Sequence, residues 1–302
     1  MKPLKHILAA TDLSAPARHA VARAYLIAAQ THCELHIVHA MELDVLDSLR
    51  ELLGANLSQT KTTIEADART RLEQLASHPE LQHGIAPHLR VLPGNPLDVV
   101  TREADALDAS LVVLGARGES YLRHAMLGSS AARMIRKTSR QPVLVVKQSP
   151  HEAYRHVLVA VDFSPASLIA IRAAKRWAPS AILVLLHAFE LPYEGLLWRA
   201  GVAQEEIDQY IKADLEKRRN KLHDLAVEAG LMTGNYLTEV RHGDASQQII
   251  AMEQEYDTDL IVVGKHGTNF SEELLLGSVT KHVLAESQCD VLVVADDRPA
   301  VD

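Results

Sequence analysis

Short, continuously apolar runs punctuate the first half of the chain: HILAAT (6–11), HIVHA (36–40), LRVLP (89–93), LVVLG (111–115) and VLVVK (143–147). Runs of this length predict strands buried on both faces. The stretches between them carry helix signals. Ser14 and Pro16 precede an Ala-rich amphipathic segment, and Pro96 opens another after Pro93 and Gly94 close the third strand. Residues 43–78 space Leu and Ala as a helix does, with a break expected near Gly54, and 128–138 reads as a further helix. Alternating buried strands and helices predict an α/β fold, a parallel sheet covered on both faces with right-handed crossovers. In such doubly wound sheets ligands lie beyond the carboxyl ends of the strands, where the strand order reverses.

The pattern occurs twice. KHILAATDLSAPARHAVARAYLIA (5–28) returns as RHVLVAVDFSPASLIAIRAAKRWA (155–178), and CELHIVHAMEL (33–43) as SAILVLLHAFEL (180–191). RVLPGNPLDVV (90–100) returns as EVRHGDASQQII (239–250), and QPVLVV (141–146) as CDVLVV (289–294). A nearly constant offset describes two copies of one domain, expected over 1–148 and 154–302, with the short polar linker QSPHEAYR between them.

A length of 302 residues suits two domains of this size, and 47% hydrophobic with 23% charged residues is ordinary for a globular chain. A net charge of −8 argues against nucleic acid or an anionic membrane as the main partner. The opening MKPLKHILAATD holds an apolar run too short for a signal peptide, and no stretch approaches a membrane span, so a cytoplasmic location is expected. Cys33 and Cys289 fit buried, reduced thiols. Of the 16 histidines, His32, His36 and His39 lie closest in sequence. The odd spacing of His36 and His39 puts them on opposite faces of a strand, so no metal site is expected from them.

The chemistry concentrates after the fourth strand of each copy. LVVLGARGESYLRHAMLGSS (111–130) and LIVVGKHGTNFSEELLLGSV (260–279) share strand, Gly-x-x-Gly, nine residues and Gly-Ser. Gly115 and Gly118, like Gly264 and Gly267, are expected to turn with positive φ and to admit a phosphate without a Cβ in the way. Gly128 and Ser129, and Gly277 and Ser278, would open a helix whose first amides face an anion. The alternative is a pair of tight turns with no ligand. Asp12 and Asp162 end their first strands, either to accept hydrogen bonds from a nucleoside or to cap the next helix. Ala40 and Ala188, after the second strands, are candidates for an adenine edge. Arg117, Arg123, Lys265, His266 and Lys281 either offset phosphate charge or stand solvated. The P-loop, the dinucleotide fingerprint and the nucleophile elbow are all missing, and no catalytic constellation converges.

At these motifs the chain resembles the universal stress protein family in its tandem, ATP-binding form. The resemblance implies two five-stranded parallel sheets of order 3-2-1-4-5, binding ATP or a related adenine nucleotide with a divalent metal, Mg²⁺ or Mn²⁺. It places Asp12 and Asp162 by ribose or adenine, and the glycines with Ser129 or Ser278 on phosphate. It also implies pairing of the two domains through their fifth strands, and a possible homodimer. Copy two keeps the family's GSVT, with Val279, where copy one has GSSA, with Ser130 and Ala131. The leading expectation is a stress-response protein that binds ATP as a switch or scaffold. The alternatives are a slow ATPase or self-phosphorylating enzyme, and a structural pseudo-dimer that holds some other ligand.

Overall fold

The architecture comes from a computed structural model that describes residues 3–42, 57–79, 81–116, 129–138, 140–191, 194–266 and 276–295. The chain divides into two compact units, 1–153 and 154–302. Each expected apolar run becomes a strand. In the first unit these are β1 (His6–Ala10), β2 (Glu34–Met41), β3 (His88–Pro93), β4 (Leu111–Gly115) and β5 (Val143–Val146). All neighbours pair in parallel, in the order β3-β2-β1-β4-β5. The second unit repeats this with β6 (His156–Ala160), β7 (Ile182–Phe189), β8 (Tyr236–His242), β9 (Leu260–Gly264) and β10 (Asp290–Val294), ordered β8-β7-β6-β9-β10.

Helices link the strands. The first unit has α1 (Ala15–Thr31), α2 (Leu57–Ala76), α3 (Pro96–Ala106) and α4 (Ser129–Lys137) among its described residues. The second has α5 (Pro165–Trp177), α6 (Glu194–Arg199), α7 (Gln204–Glu228), α8 (Ala245–Glu255) and α9 (Ser278–Glu286). Helix starts follow local chemistry. The Ser14 hydroxyl accepts from the Ala17 amide at 3.3 Å, the Asn95 carboxamide oxygen from Leu97 at 3.0 Å, and the Asp244 carboxylate from Gln247 at 3.0 Å. The expected break at Gly54 lies outside the described residues.

The cores are built from the strands' own side chains. Ile7, Leu8, Ala9, Leu111, Val112 and Val113 are buried in the first unit, as are Val157, Leu158, Val159, Leu260, Ile261 and Val262 in the second. At about 1.5–3 kcal/mol for each fully buried large apolar side chain, this burial outweighs any helix or strand propensity. Small side chains at Ala17, Ala20, Ala24 and Ala28 let α1 lie close against the sheet. Cys33 and Cys289 are buried free thiols.

Tyr25 brings a polar group into that face. It is fully buried, its hydroxyl donates to the Ala76 carbonyl at 2.9 Å, and burial pushes its pKa up to about 12. That bond ties α1 to the end of α2. Because the folded state favours the neutral phenol, this contribution is complete below the ordinary value of 10.0 and is lost as pH rises through about 12. Tyr25→Phe leaves the carbonyl without its donor and should cost about 1–2 kcal/mol in denaturant unfolding at neutral pH. An unchanged midpoint would mean that the bond contributes nothing.

Candidate functional site

The order of each sheet reverses between its central strands, β1 beside β4 and β6 beside β9. In doubly wound sheets such a reversal is where a crevice opens at the carboxyl ends of the strands. The first loop is shaped the same way in both units. The Ser14 amide donates to Asp12 Oδ1 at 3.0 Å, and the Ser164 amide to Asp162 Oδ1 at 2.9 Å. Each bond spans an apolar residue with left-handed backbone, Leu13 at φ 64° and Phe163 at φ 62°. Bulky residues rarely adopt that conformation, so the carboxylate bond holds a strained turn in place. Neither aspartate caps a helix; Ser14 and Ser164 occupy the cap positions.

In the second unit Asp162 Oδ1 also accepts from the Ser164 hydroxyl at 2.5 Å and the Ser167 hydroxyl at 2.7 Å. The Ser164 oxygen is thereby turned away from the amides of α5, and that helix starts without a side-chain cap. Across the crevice, α9 starts at Gly277 (φ −56°, ψ 153°), which has no side chain to offer a cap. The Gly277 amide donates to the Lys265 carbonyl at 3.0 Å, and the Thr280 hydroxyl to the Gly264 carbonyl at 2.7 Å. These two bonds hold the start of α9 against the end of β9.

A cavity of about 360 Å³ lies between these elements. Of the expected residues, Asp162, Ala188, Gly264, His266, Gly277, Ser278 and Val279 all line it, and Gly267 lies outside the described residues. Sequence reading missed Ser164, Ser167, Ile249 and Thr280 in the lining. The Ser-x-x-Ser after Asp162 was the available signal. Lys265, for which a solvated position was one expectation, is only 4% exposed. The expectation of positive φ at Gly115 and Gly264 is corrected. Both close strands in regular parallel pairing, and neither is among the left-handed glycines. What Gly264 needs is space, because a Cβ there would stand 3.2 Å from the His266 carbonyl oxygen and 3.3 Å from Ala166 Cβ.

In the first unit Asp12 follows β1, Ala40 lies in β2, Gly115 ends β4, and Ser129 and Ser130 are the first residues of α4. Arg117, Gly118, Arg123 and Gly128 lie outside the described residues. The residue matching Thr280 is the buried Ala131, so the hydroxyl bond from helix to strand end has no equivalent there.

A model of the universal stress protein family matches residues 3–147 and again residues 153–295. The chain belongs to the universal stress protein family. A universal stress protein of Mycolicibacterium smegmatis is 27% identical over 301 residues, covering 96% of this chain and 86% of that protein. Universal stress protein MJ0577 of Methanocaldococcus jannaschii is 28% identical over 153 residues, covering 47% of this chain and 94% of that one. Among solved structures, a universal stress protein from Archaeoglobus fulgidus superposes with a TM-score of 0.66 over 96% of this chain and 98% of its own, at 18% identity. At that identity the likeness is one of fold.

Behind the crevice of this tandem universal stress protein, one histidine braces the second unit. His187 Nδ1 lies 2.7 Å from the Val161 carbonyl oxygen, and Arg218 Nη1 lies 2.9 Å from His187 Nε2. Guanidinium only donates, so Nε2 accepts, Nδ1 carries the proton and the ring is neutral. Phe163 packs on the same ring at 4.2 Å between centroids, which links it to the strained turn. Burial, more than the nearby Arg218 and Lys221, depresses the His187 pKa below 6.5, against the opposing pull of the Val161 carbonyl and Asp162. Its contribution to stability is therefore complete above pH 6.5 and is lost as pH falls through the folded value. His36 shifts in the same direction, so the wild type alone does not isolate His187. Comparing denaturant midpoints between about pH 7.5 and 5, His187→Gln should show a smaller acid loss than the wild type. Equal slopes would refute the assignment.

Proposed function

We propose that the second unit binds an adenine nucleotide, ATP in the first instance, and that binding serves a switch or scaffold role in the cytoplasm rather than rapid turnover. The observation that carries this reading is the convergence of two helix starts without side-chain caps on one cavity. The amides of Ser278, Val279 and Thr280 head α9, and that of Ala166 heads α5. Oriented amides at the positive ends of two helices form an anion site that suits phosphate oxygens. Asp162 offers a fixed carboxylate to nucleoside hydroxyl or amino groups, and the apolar walls at Leu186, Ala188 and Ile249 suit a purine face. A divalent cation such as Mg²⁺ or Mn²⁺ would travel with the phosphates and be held largely by their oxygens. Asp162 Oδ1 is already engaged by three donors, which suits a positioned acceptor better than a proton shuttle. Among the described residues no helix is long and apolar enough to cross a membrane.

Gly277→Asp tests this reading without unfolding the site. The φ of −56° is open to any residue, and aspartate is a preferred cap, so α9 should be as stable as before or more so. The new carboxylate would satisfy the amides that the phosphates need and add like charge. Calorimetric titration of the full chain with ATP and Mg²⁺ should show affinity at this site falling at least 10-fold while the melting temperature holds. Unchanged affinity would place the nucleotide elsewhere. No heat and no saturation in the wild type would remove the proposal.

A further inference from the structure

The opposite, amino-terminal edge of the first sheet carries a second constellation. Parallel pairing sets His6 beside Glu34, and His36 beside both Leu8 and His88, so His6, Glu34, His36 and His88 share one face of β1, β2 and β3. His36 Nε2 lies 3.2 Å from His6 Nδ1, and Glu34 Oε2 lies 3.4 Å from His6 Nδ1 and 3.8 Å from His36 Nε2. One ligand atom from each of the three falls within 4.8 Å of the others. Tetrahedral ligands at 2.0–2.1 Å from a zinc ion are about 3.3 Å apart, so this side-chain arrangement needs little movement to close on a metal.

We propose that His6 Nδ1, Glu34 and His36 Nε2 form a binding site for a divalent transition-metal ion of the Zn²⁺ type, with a fourth position open to solvent. Imidazole and carboxylate donors select this class over Mg²⁺ or Ca²⁺, which favour all-oxygen shells. His88 is a positioning residue. Its ring stacks on His36 at 4.7 Å with 22° between planes, and its Nε2 lies 3.8 Å from the same Glu34 oxygen. Arg90, two residues further along β3, is paired with the buried Glu103 of α3, which offsets the one nearby cation of that strand.

The duplicated unit shows that the fold does not require these groups. Matching registers place His156 beside Ile182, and Val184 beside Leu158 and Leu237, so only the first histidine has a counterpart. Ile182 and Leu237 are exposed there, so an apolar edge is tolerated. Glu34 is the exposed member of its pairs with His6 and His36, and a pair with one exposed partner contributes little to stability. The site lies at the other end of the strands from the proposed nucleotide cavity and in the other unit, so it stands or falls independently of that reading.

The test uses the full chain, free of any affinity tag and stripped with chelator, without nucleotide. Competition against a chromophoric chelator should give one Zn²⁺ per chain, and Co²⁺ should give the intense visible absorption of a tetrahedral complex. His6→Ala and Glu34→Gln should each weaken Zn²⁺ at least 10-fold, His88→Ala only a few-fold, and His156→Ala not at all. Far-UV circular dichroism in chelator reports folding separately; if His6→Ala misfolds, the more exposed Glu34→Gln decides. No stoichiometric Zn²⁺ on the wild type would overturn the proposal. So would binding that survives both His6→Ala and Glu34→Gln in folded protein.

Discussion

Everything at the crevice depends on backbone amides that the sheet cannot satisfy. Strand order reverses between β6 and β9, and the starts of α5 and α9 line the space at their carboxyl ends. Elsewhere the chain caps its helix starts, at Ser14, Asn95 and Asp244. The start of α7 also lacks a side-chain cap, but it lies exposed with Glu205 and Glu206 in its first turn. At the crevice, cap oxygens are withheld by a glycine at α9 and by diversion of Ser164 to Asp162 at α5. A cap is worth about 1 kcal/mol, so forgoing two is a measurable cost to stability. Leaving caps off at a concave site, when Ser14, Asn95 and Asp244 supply them at other helix starts, is what a binding surface requires.

Much of this was legible in the sequence because it rests on local chemistry. Continuous apolar runs mark strands buried on both faces, and Ser14, Pro16 and Pro96 mark helix starts whatever lies around them. The repeat then located the crevice, since Asp162 and Gly264 recur at fixed distances from their counterparts. What was misread depends on partners distant in sequence. The glycine at the strand end was expected to bend the chain, whereas Gly264 stays extended and its missing Cβ makes room for Ala166 and the His266 carbonyl. After the first strand of each unit the left-handed residues are instead Leu13 and Phe163, which no composition rule would select. Lys265 is buried although it is charged and follows the glycine that ends a strand. The histidine cluster was invisible for the same reason. The 3.6 and 2.0 periods describe one element at a time, and His6, His36 and His88 meet only across three strands.

Duplication let the two units diverge on a common frame. Thr280 anchors α9 to the end of β9 through a hydroxyl, while Ala131 in the same place fills space only. In the other direction, the first unit gathers imidazoles and a carboxylate at its sheet edge where the second has Ile182, Val184 and Leu237. The aromatic and cationic brace around His187, built from Phe163, Phe189 and Arg218, likewise belongs to the second unit. The strands and their order are shared, and the chemistry at the two edges is not.

The central claim is that the crevice of the second unit holds an adenine nucleotide through helix-start amides. Equilibrium dialysis of the purified chain against radiolabelled ATP with Mg²⁺, followed by a count of nucleotide per chain, measures this directly. The account predicts at least one saturable ATP per chain, displaced by unlabelled ATP. Retention no greater than that of an unrelated protein of equal size would contradict it.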